Sequence, residues 1–348
     1  MNQAGFQVTL ICSYTPQLND IIAREGIEYV SIPFKRKIQI LYDIYSLIKL
    51  IITLHALKPK IVNVSTPKAS LIGMIASFIT MVPFRIYLIR GLRYETFNGL
   101  QKMIYVLIEK LICLLSTNIV SISNSIRETV LNDKICTPEK ISVLLKGSSN
   151  GININSFFKS DYQLIQKPSN TLMLGYVGRL CEDKGTPELI KIYNKIAELN
   201  SFKIQLLIVG EFDSTSKFRH DYEEIIINNR NIHKTGFVDN VYSYLRLMDI
   251  FIFPSKREGF GNAIIEASLT KLPIVAFDIP GVRDAVINKF TGLLSPSNNL
   301  SDFINNVQVY IDNPELRIQH GLNGYKWVIE NFDRNKILTE WQSYYNSL

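Results

Sequence analysis

Apolar runs of strand length alternate with longer stretches of helical period from one end of the chain to the other. The runs QVTLICS (7–13), KIVNVS (60–65), RIYLIR (85–90), NIVSIS (118–123), ISVLL (141–145), TLMLGYVG (171–178), KIQLLIVG (203–210), IFIFPS (250–255) and LPIVAFD (272–278) predict β-strands. Most are rich in Val, Ile and Leu without in–out alternation, as in parallel strands covered by helices on both faces. Between them, residues 39–57, 69–82, 99–116, 123–132, 186–199, 240–248, 262–271 and 314–331 carry apolar stripes that predict helices. An α/β fold with parallel sheets follows. Several strands end in Gly, Ser or Pro, where a loop leaves the carboxyl edge at which such sheets bind ligands.

The alternation breaks at GSSNGININSFFKSDYQLIQKPSN (147–170), a polar stretch that predicts a domain boundary. The chain's 348 residues suit two domains at roughly 150 residues each. The net charge of +7 calls for an anionic partner: nucleotide phosphates, nucleic acid or an acidic membrane surface. Residues 1–150 hold 17 Lys and Arg against 9 Asp and Glu, whereas the rest is nearly neutral with 21 against 22. Cys12, Cys113, Cys136 and Cys181 have no paired spacing, so neither a zinc site nor a disulfide framework is indicated and a reducing cytosol fits. The N-terminus shows no secretory signal. The longest uncharged stretch, residues 69–84, is 16 residues long and falls short of the roughly 20 that span a bilayer. His55, His220, His233 and His320 show no ligand spacing, and no Asp-any-Asp triplet occurs, so no metal site is expected.

Two constellations carry chemistry. In FPSKREGFGNAIIEASLTK (253–271) a buried strand ends at Pro254-Ser255, a loop follows with Glu258, Gly259, Phe260 and Gly261, and a helix opening near Asn262 brings in Glu266. The glycines let backbone approach a ligand, and the helix start offers free N–H groups to a diphosphate. The two carboxylates would accept hydrogen bonds from neutral hydroxyls of a sugar and a ribose; the plain alternative is a surface loop. In LGYVGRLCEDKGTPELIKIY (174–193), Arg179 follows the strand end at Gly178, and Asp183-Lys184-Gly185 leads to a helix with Thr186 as N-cap and Pro187 at its first position. Arg179 and Lys184 together would neutralise a diphosphate; singly, each is an ordinary surface cation.

Gly178-Arg179-Leu180, Asp183-Lys184-Gly185 and the pair Glu258 and Glu266 around Gly259-Phe260-Gly261 resemble the donor domain of the family 4 retaining glycosyltransferases of GT-B fold. Val209-Gly210-Glu211, HKTGFV (233–238), Leu272 to Val275 and Pro280-Gly281-Val282 extend the resemblance. SNGININSF (149–157) resembles the interdomain segment, and STPKASLIG (65–73) with IRGLRYET (89–96) resembles bacterial members that build O-antigen, capsule or lipid-linked oligosaccharides.

The resemblance implies two Rossmann-like domains facing a central cleft: residues 1–152 bind the acceptor, residues 153–330 bind the donor, and a helix over 331–348 crosses back, with Ile337, Leu338, Trp341 and Tyr345 on one face. It implies that Arg179 and Lys184 bind the donor diphosphate, Glu258 the transferred sugar and Glu266 the ribose. Gly178 and the backbone of Gly259 to Asn262 would meet the sugar and phosphates, and Glu211 with Gly236, Phe237 and Val238 would lie near the nucleoside. It implies a nucleotide-diphosphate sugar as co-substrate, UDP-sugar favoured, with no cofactor and no metal. Retention would follow from a same-face path in which the leaving phosphate helps deprotonate the acceptor. Arg90 stands where many relatives carry a His, which makes Arg90, Arg93 and Glu95 the acceptor-side candidates. The first strand, loop and helix of the fold are expected to be missing, since Ala4-Gly5-Phe6-Gln7-Val8 already reads as its second strand.

Helices 39–57 and 99–116 are strongly apolar, with Lys35, Arg36, Lys37, Lys49, Lys58, Lys60, Lys102 and Lys110 in or beside them. They are either ordinary packed helices or an interfacial patch for anionic lipid at the inner membrane face, which suits an undecaprenyl-diphosphate-linked acceptor. Two rival expectations are a shortened, catalytically impaired nucleotide-sugar-binding protein and a nucleic-acid-binding protein. The second has no reader motif to support it.

Overall fold

The computed structural model describes the chain except Met1, Gln17, residues 36–37, Ser149, residues 160–166, residues 168–169, Thr215 and residues 217–218. Arg36 and Lys37, Ser149 of the interdomain segment and much of the boundary stretch thus lie outside the described residues. The chain divides into two compact units, one of Met1–Ile122, Arg127–Leu144 and Leu338–Leu348, the other of Ser123–Ile126 and Leu145–Ile337.

The first unit contains β1 (Thr9–Cys12), α1 (Leu18–Glu25), β2 (Glu28–Ser31), α2 (Ile40–Leu57), β3 (Ile61–Val64), α3 (Pro67–Ile79), β4 (Phe84–Ile89), α4 (Gly99–Leu115), β5 (Asn118–Ser121), most of α5 (Asn124–Asn132) and β6 (Ile141–Val143). All its strand pairs are parallel, in a β1-β2 pair and a four-stranded sheet of order β3-β4-β5-β6. Ile32, Leu50, Leu54, Ile72 and Ala76 form a core against which Ile11 and Val30 of the pair and Val62 of the larger sheet pack, so α2 and α3 cover both. Helix α3 lies between α2 and α4 and contacts each. The expected helix over 69–82 ends earlier, at Ile79, because Met81 turns into the left-handed region (φ 55°) two residues before Pro83.

The second unit contains α6 (Ile154–Lys159), β7 (Thr171–Val177), α7 (Thr186–Leu199), β8 (Lys203–Val209), α8 (Arg219–Asn228), β9 (Ile232–Lys234), α9 (Tyr242–Leu245), β10 (Ile250–Phe253), α10 (Asn262–Leu269), β11 (Ile274–Asp278), α11 (Val282–Ala285), β12 (Gly292–Pro296), α12 (Leu300–Asp312), α13 (Pro314–Asn331) and the start of α14 (Arg334–Asn346). Its sheet is six-stranded and parallel, of order β12-β11-β10-β7-β8-β9. Chain order reverses between β7 and β10, the switch point at which such sheets offer a crevice at the carboxyl ends of their strands. Both sequence constellations follow these two strands.

Three local expectations are corrected. Thr186 is not the N-cap of α7: Gly185 holds that place in the left-handed region, and the Thr186 hydroxyl instead donates to the Cys181 carbonyl at 3.1 Å. The helix expected over 240–248 shrinks to α9, because Leu247 and Met248 bond back three residues and tighten the chain into turns. In α14, Ile337 and Trp341 are buried but Leu338, one position around the helix, is 43% exposed. The end of α14 belongs to the first unit, where Asn63 donates to the Tyr345 hydroxyl at 2.5 Å and Phe6 meets the Tyr345 ring edge-on.

Candidate functional site

The segments that follow β7 and β8 run side by side past the strand ends: Gly178 N–H donates to Val209 O at 3.0 Å, Leu180 N–H to Glu211 O at 2.8 Å and Asp213 N–H to Leu180 O at 3.0 Å. A Cβ at Gly210 would stand 2.0 Å from Gly178 O, so side chains are excluded where the two segments touch. Arg179 projects from this platform, 64% exposed, and pairs with Asp213.

The chain then makes a 3-10 turn over Glu182–Lys184 and stops at Gly185 (φ 71°), where a Cβ would lie 1.9 Å from Pro254 O. Only glycine fits, and the contact docks the Lys184 loop onto the end of β10. There Lys184 pairs with Glu258. The fully buried Ser255 hydroxyl lies 2.9 Å from the same carboxylate oxygen and 3.2 Å from Asp183 O. Arg257 closes the ring from outside through Asp183 at 2.9 Å. Below the platform, the buried Tyr176 hydroxyl lies 3.1 Å from Arg179 O and 3.4 Å from Lys184 O, tying both cation-bearing loops to β7.

Glu258, Gly259, Phe260 and Gly261 lead into α10, whose N-cap is Gly261 with no side-chain bond and whose first turn has no acidic residue. Its first N–H groups are therefore not satisfied by a capping side chain. The Phe260 ring is buried edge-on against Phe332, so at this position the backbone alone is available to a ligand. Gly281 of the Pro280-Gly281-Val282 segment approaches Glu258 and Gly259 so closely that a Cβ would be 2.6 Å from Gly259 O. That segment is held in turn: Asp284 accepts from Asn124 N–H at 2.8 Å, and Gly281 N–H donates to the Ser125 hydroxyl at 2.6 Å. Glu266 sits on α10 near Tyr242, and burial pushes its carboxyl up to about 7. Glu211 pairs with Lys234 at 3.4 Å beside Gly236, while Phe237 is 80% exposed.

The thirteen donor-side candidates thus all lie on loops at the carboxyl edge of one sheet or on the helix that follows β10. Sequence reasoning missed Tyr176, Ser255, Asp213 and the Asp183–Arg257 pair. Ser255 stood at a strand end and was open to detection, whereas Tyr176 in an apolar strand gave no signal. The acceptor-side candidates belong to the first unit. Arg90 follows β4, has no ion pair among the described residues, and its pKa is lowered by desolvation. The Arg93 guanidinium lies 5.5 Å from the Tyr105 ring centroid, and Glu95 shares the 3-10 turn Arg93–Thr96.

Residues 159–327 match the family described as glycosyl transferases group 1, and residues 1–123 match glycosyl transferase 4-like. The chain is 36% identical to the capsular polysaccharide biosynthesis glycosyltransferase CapM of Staphylococcus aureus, over 91% of this chain and 84% of that protein. It is 26% identical to an Escherichia coli UDP-Gal:alpha-D-GlcNAc-diphosphoundecaprenol alpha-1,3-galactosyltransferase, over 96% of this chain and 88% of that one. The crystal structure of Anabaena Alr3699/HepE in complex with UDP-glucose superposes with a TM-score of 0.78 at 19% identity, covering 98% of this chain and 92% of that one. On these matches and its two parallel-sheet units, the chain belongs to the family 4 glycosyltransferases of GT-B fold.

Proposed function

We propose that the protein transfers a hexosyl or N-acetylhexosaminyl group, with retention of configuration, from a nucleotide-diphosphate sugar to an undecaprenyl-diphosphate-linked saccharide or a polysaccharide acceptor. A UDP-sugar is favoured, and the product serves bacterial surface polysaccharide synthesis at the inner face of the cell membrane. The activities for which the Staphylococcus aureus and Escherichia coli relatives are named support that setting.

The carrying observation is the Lys184–Glu258 pair at the crevice between β7 and β10. The carboxylate holds the cation at the strand end. An arriving diphosphate offers Lys184 a stronger anion, and Glu258 is then released to accept hydrogen bonds from hydroxyls of the transferred sugar. Arg179 adds a second cation, and the open N–H groups of α10 add a third contact to the phosphates. As the glycosidic bond breaks, negative charge grows on the leaving diphosphate, and preorganised cations stabilise it without a divalent metal. Glu266 accepts from the ribose, Glu211 and the Gly236 to Val238 segment border the nucleoside, and Gly178 lies beside the donor. Arg90, Arg93 and Glu95 serve the acceptor.

The test is transfer from UDP-[14C]galactose, and from other labelled UDP-sugars, to a short-chain polyprenyl-diphosphate saccharide in the presence of a chelator. The expected result is a labelled product whose anomeric proton coupling matches that of the donor. An inverted product, or absolute dependence on added metal, would contradict the proposal.

A further inference from the structure

The fully buried Ser255 hydroxyl at the end of β10 lies within hydrogen-bond distance of three acceptors: Glu258 Oε1 at 2.9 Å, Asp183 O at 3.2 Å and Arg257 O at 3.3 Å. A hydroxyl has one proton to give. Asp183 O already accepts from the Lys256 N–H at 2.9 Å, and the close approach of Gly185 to Pro254 O already docks the Lys184 loop on the strand end. The carboxylate is the nearest of the three acceptors and the one that is charged, so the proton goes to Glu258, where the bond is strongest. Ser255 therefore serves the carboxylate more than it serves the loops.

Lys184 and Ser255 converge on one atom. Both meet Glu258 Oε1, whereas Oε2 accepts from no described residue and still reaches solvent. Only 9% of the Glu258 side chain is accessible. A carboxylate this enclosed is costly to leave without a donor, and a cation bound to it is correspondingly hard to draw away. With Ser255 in place, one donor stays on Oε1 when Lys184 turns to a diphosphate, and Oε2 stays open to a sugar hydroxyl. Without that hydroxyl, the departure of Lys184 would strip the carboxylate of every described donor.

We propose that Ser255 is a positioning residue of the donor site: its hydroxyl keeps hold of Glu258 while Lys184 exchanges the carboxylate for a nucleoside diphosphate, a role that rests on the donor chemistry proposed above.

The test is titration calorimetry of UDP and of uridine, or of the corresponding guanine or thymine pair where the wild type prefers it, with wild type, Ser255→Ala, Glu258→Gln and the double variant. Ser255→Ala should bind UDP about tenfold more weakly or worse, the loss expected for one hydrogen bond to a charged group. Uridine has no diphosphate to draw Lys184 away, so it should bind wild type and Ser255→Ala alike. Glu258→Gln keeps the shape of the side chain and removes the charge that holds Lys184. It should bind UDP at least as tightly as the wild type, and the double variant should match it. A packing defect at Ser255 would not be cured by that second substitution. Equal UDP affinity of wild type and Ser255→Ala would overturn the inference, as would a parallel loss of uridine or a double variant as weak as Ser255→Ala. A wild type that binds none of UDP, GDP and dTDP would overturn the proposed donor chemistry and this role of Ser255 with it.

Discussion

Helices α4 and α7 both coat a parallel sheet, and they treat water in opposite ways. In α7, Leu189, Ile190, Ile192, Tyr193 and Ile196 face the core while Lys191, Asn194, Lys195 and Glu198 face outward. In α4 the outward positions are largely leucine, isoleucine and methionine. Helix α7 keeps its apolar residues inside except Leu199 at its end, and the second unit concentrates paired charges on loops at the carboxyl edge, an arrangement for a polar, anionic ligand. The first unit leaves apolar side chains and cations outside on α2 and α4. The additional apolar residues of α4 thus lie on its outer face and not in the core.

The sharpest way to break this comparison is to place the same charge on both helices. Leu189 is fully buried, and Leu189→Asp should destabilise the protein by about 4 kcal/mol or more, because a buried carboxylate has no partner there. Leu107 is 57% exposed, and Leu107→Asp should stay within about 0.5 kcal/mol of wild type. Urea denaturation followed by circular dichroism measures both, and equal losses would mean that the outward face of α4 is packed after all.

Next in size is the effect of removing the central cation. Lys184→Ala should lower transfer about 10²- to 10³-fold, raising KM for the donor as well as lowering kcat, since the cation holds the donor diphosphate and meets further charge as the leaving group departs. A loss confined to KM would recast Lys184 as a ground-state binding residue.

The buried carboxylate of Glu266 supplies a pH-dependent prediction. Its folded pKa of about 7 exceeds the ordinary 4.5, so the folded state holds the proton more tightly than the unfolded chain. That contribution is fully present below about pH 4.5 and is lost as pH rises through 7. Glu266→Gln should therefore stabilise the protein by roughly 2–3 kcal/mol at pH 8, and by little at pH 5, while weakening donor binding. Denaturation midpoints at the two pH values check the sign, and a variant less stable at pH 8 would refute it. Arg179→Ala should have the smallest effect, about a tenfold loss of transfer, because this side chain is mostly in water.

Much of the second unit was legible in the sequence. Largely apolar β7, β8 and β10 declared themselves, and the loops leaving them held the glycines and charges that the fold then brought together. The parts that stayed hidden depend on distance along the chain. Lys184 meets Glu258 across 74 residues, and Tyr176 ties two loops to a strand that looked purely structural. Short elements gave little periodicity to read: β9 is three residues, Ile232–Lys234, and β2 is Glu28–Ser31 with two exposed positions. Helix α12 did carry a signal, since Asn299 accepts from Asp302 N–H at 3.1 Å, the N-cap spacing. In α2 and α4 the apolar residues covered nearly the whole circumference, so the sequence could not say which stripe faced inward. Packing decided that.

The central claim is that the carboxyl edge between β7 and β10 holds a nucleotide-sugar diphosphate on Lys184 and Arg179. Saturation-transfer difference NMR with UDP-, GDP- and dTDP-sugars, on wild type and on Lys184→Ala, tests it most directly. The account predicts ribose and sugar signals from at least one donor, strongest for a UDP-sugar, and their loss in the variant. Absence of signal from every donor, or undiminished signal in Lys184→Ala, would contradict it.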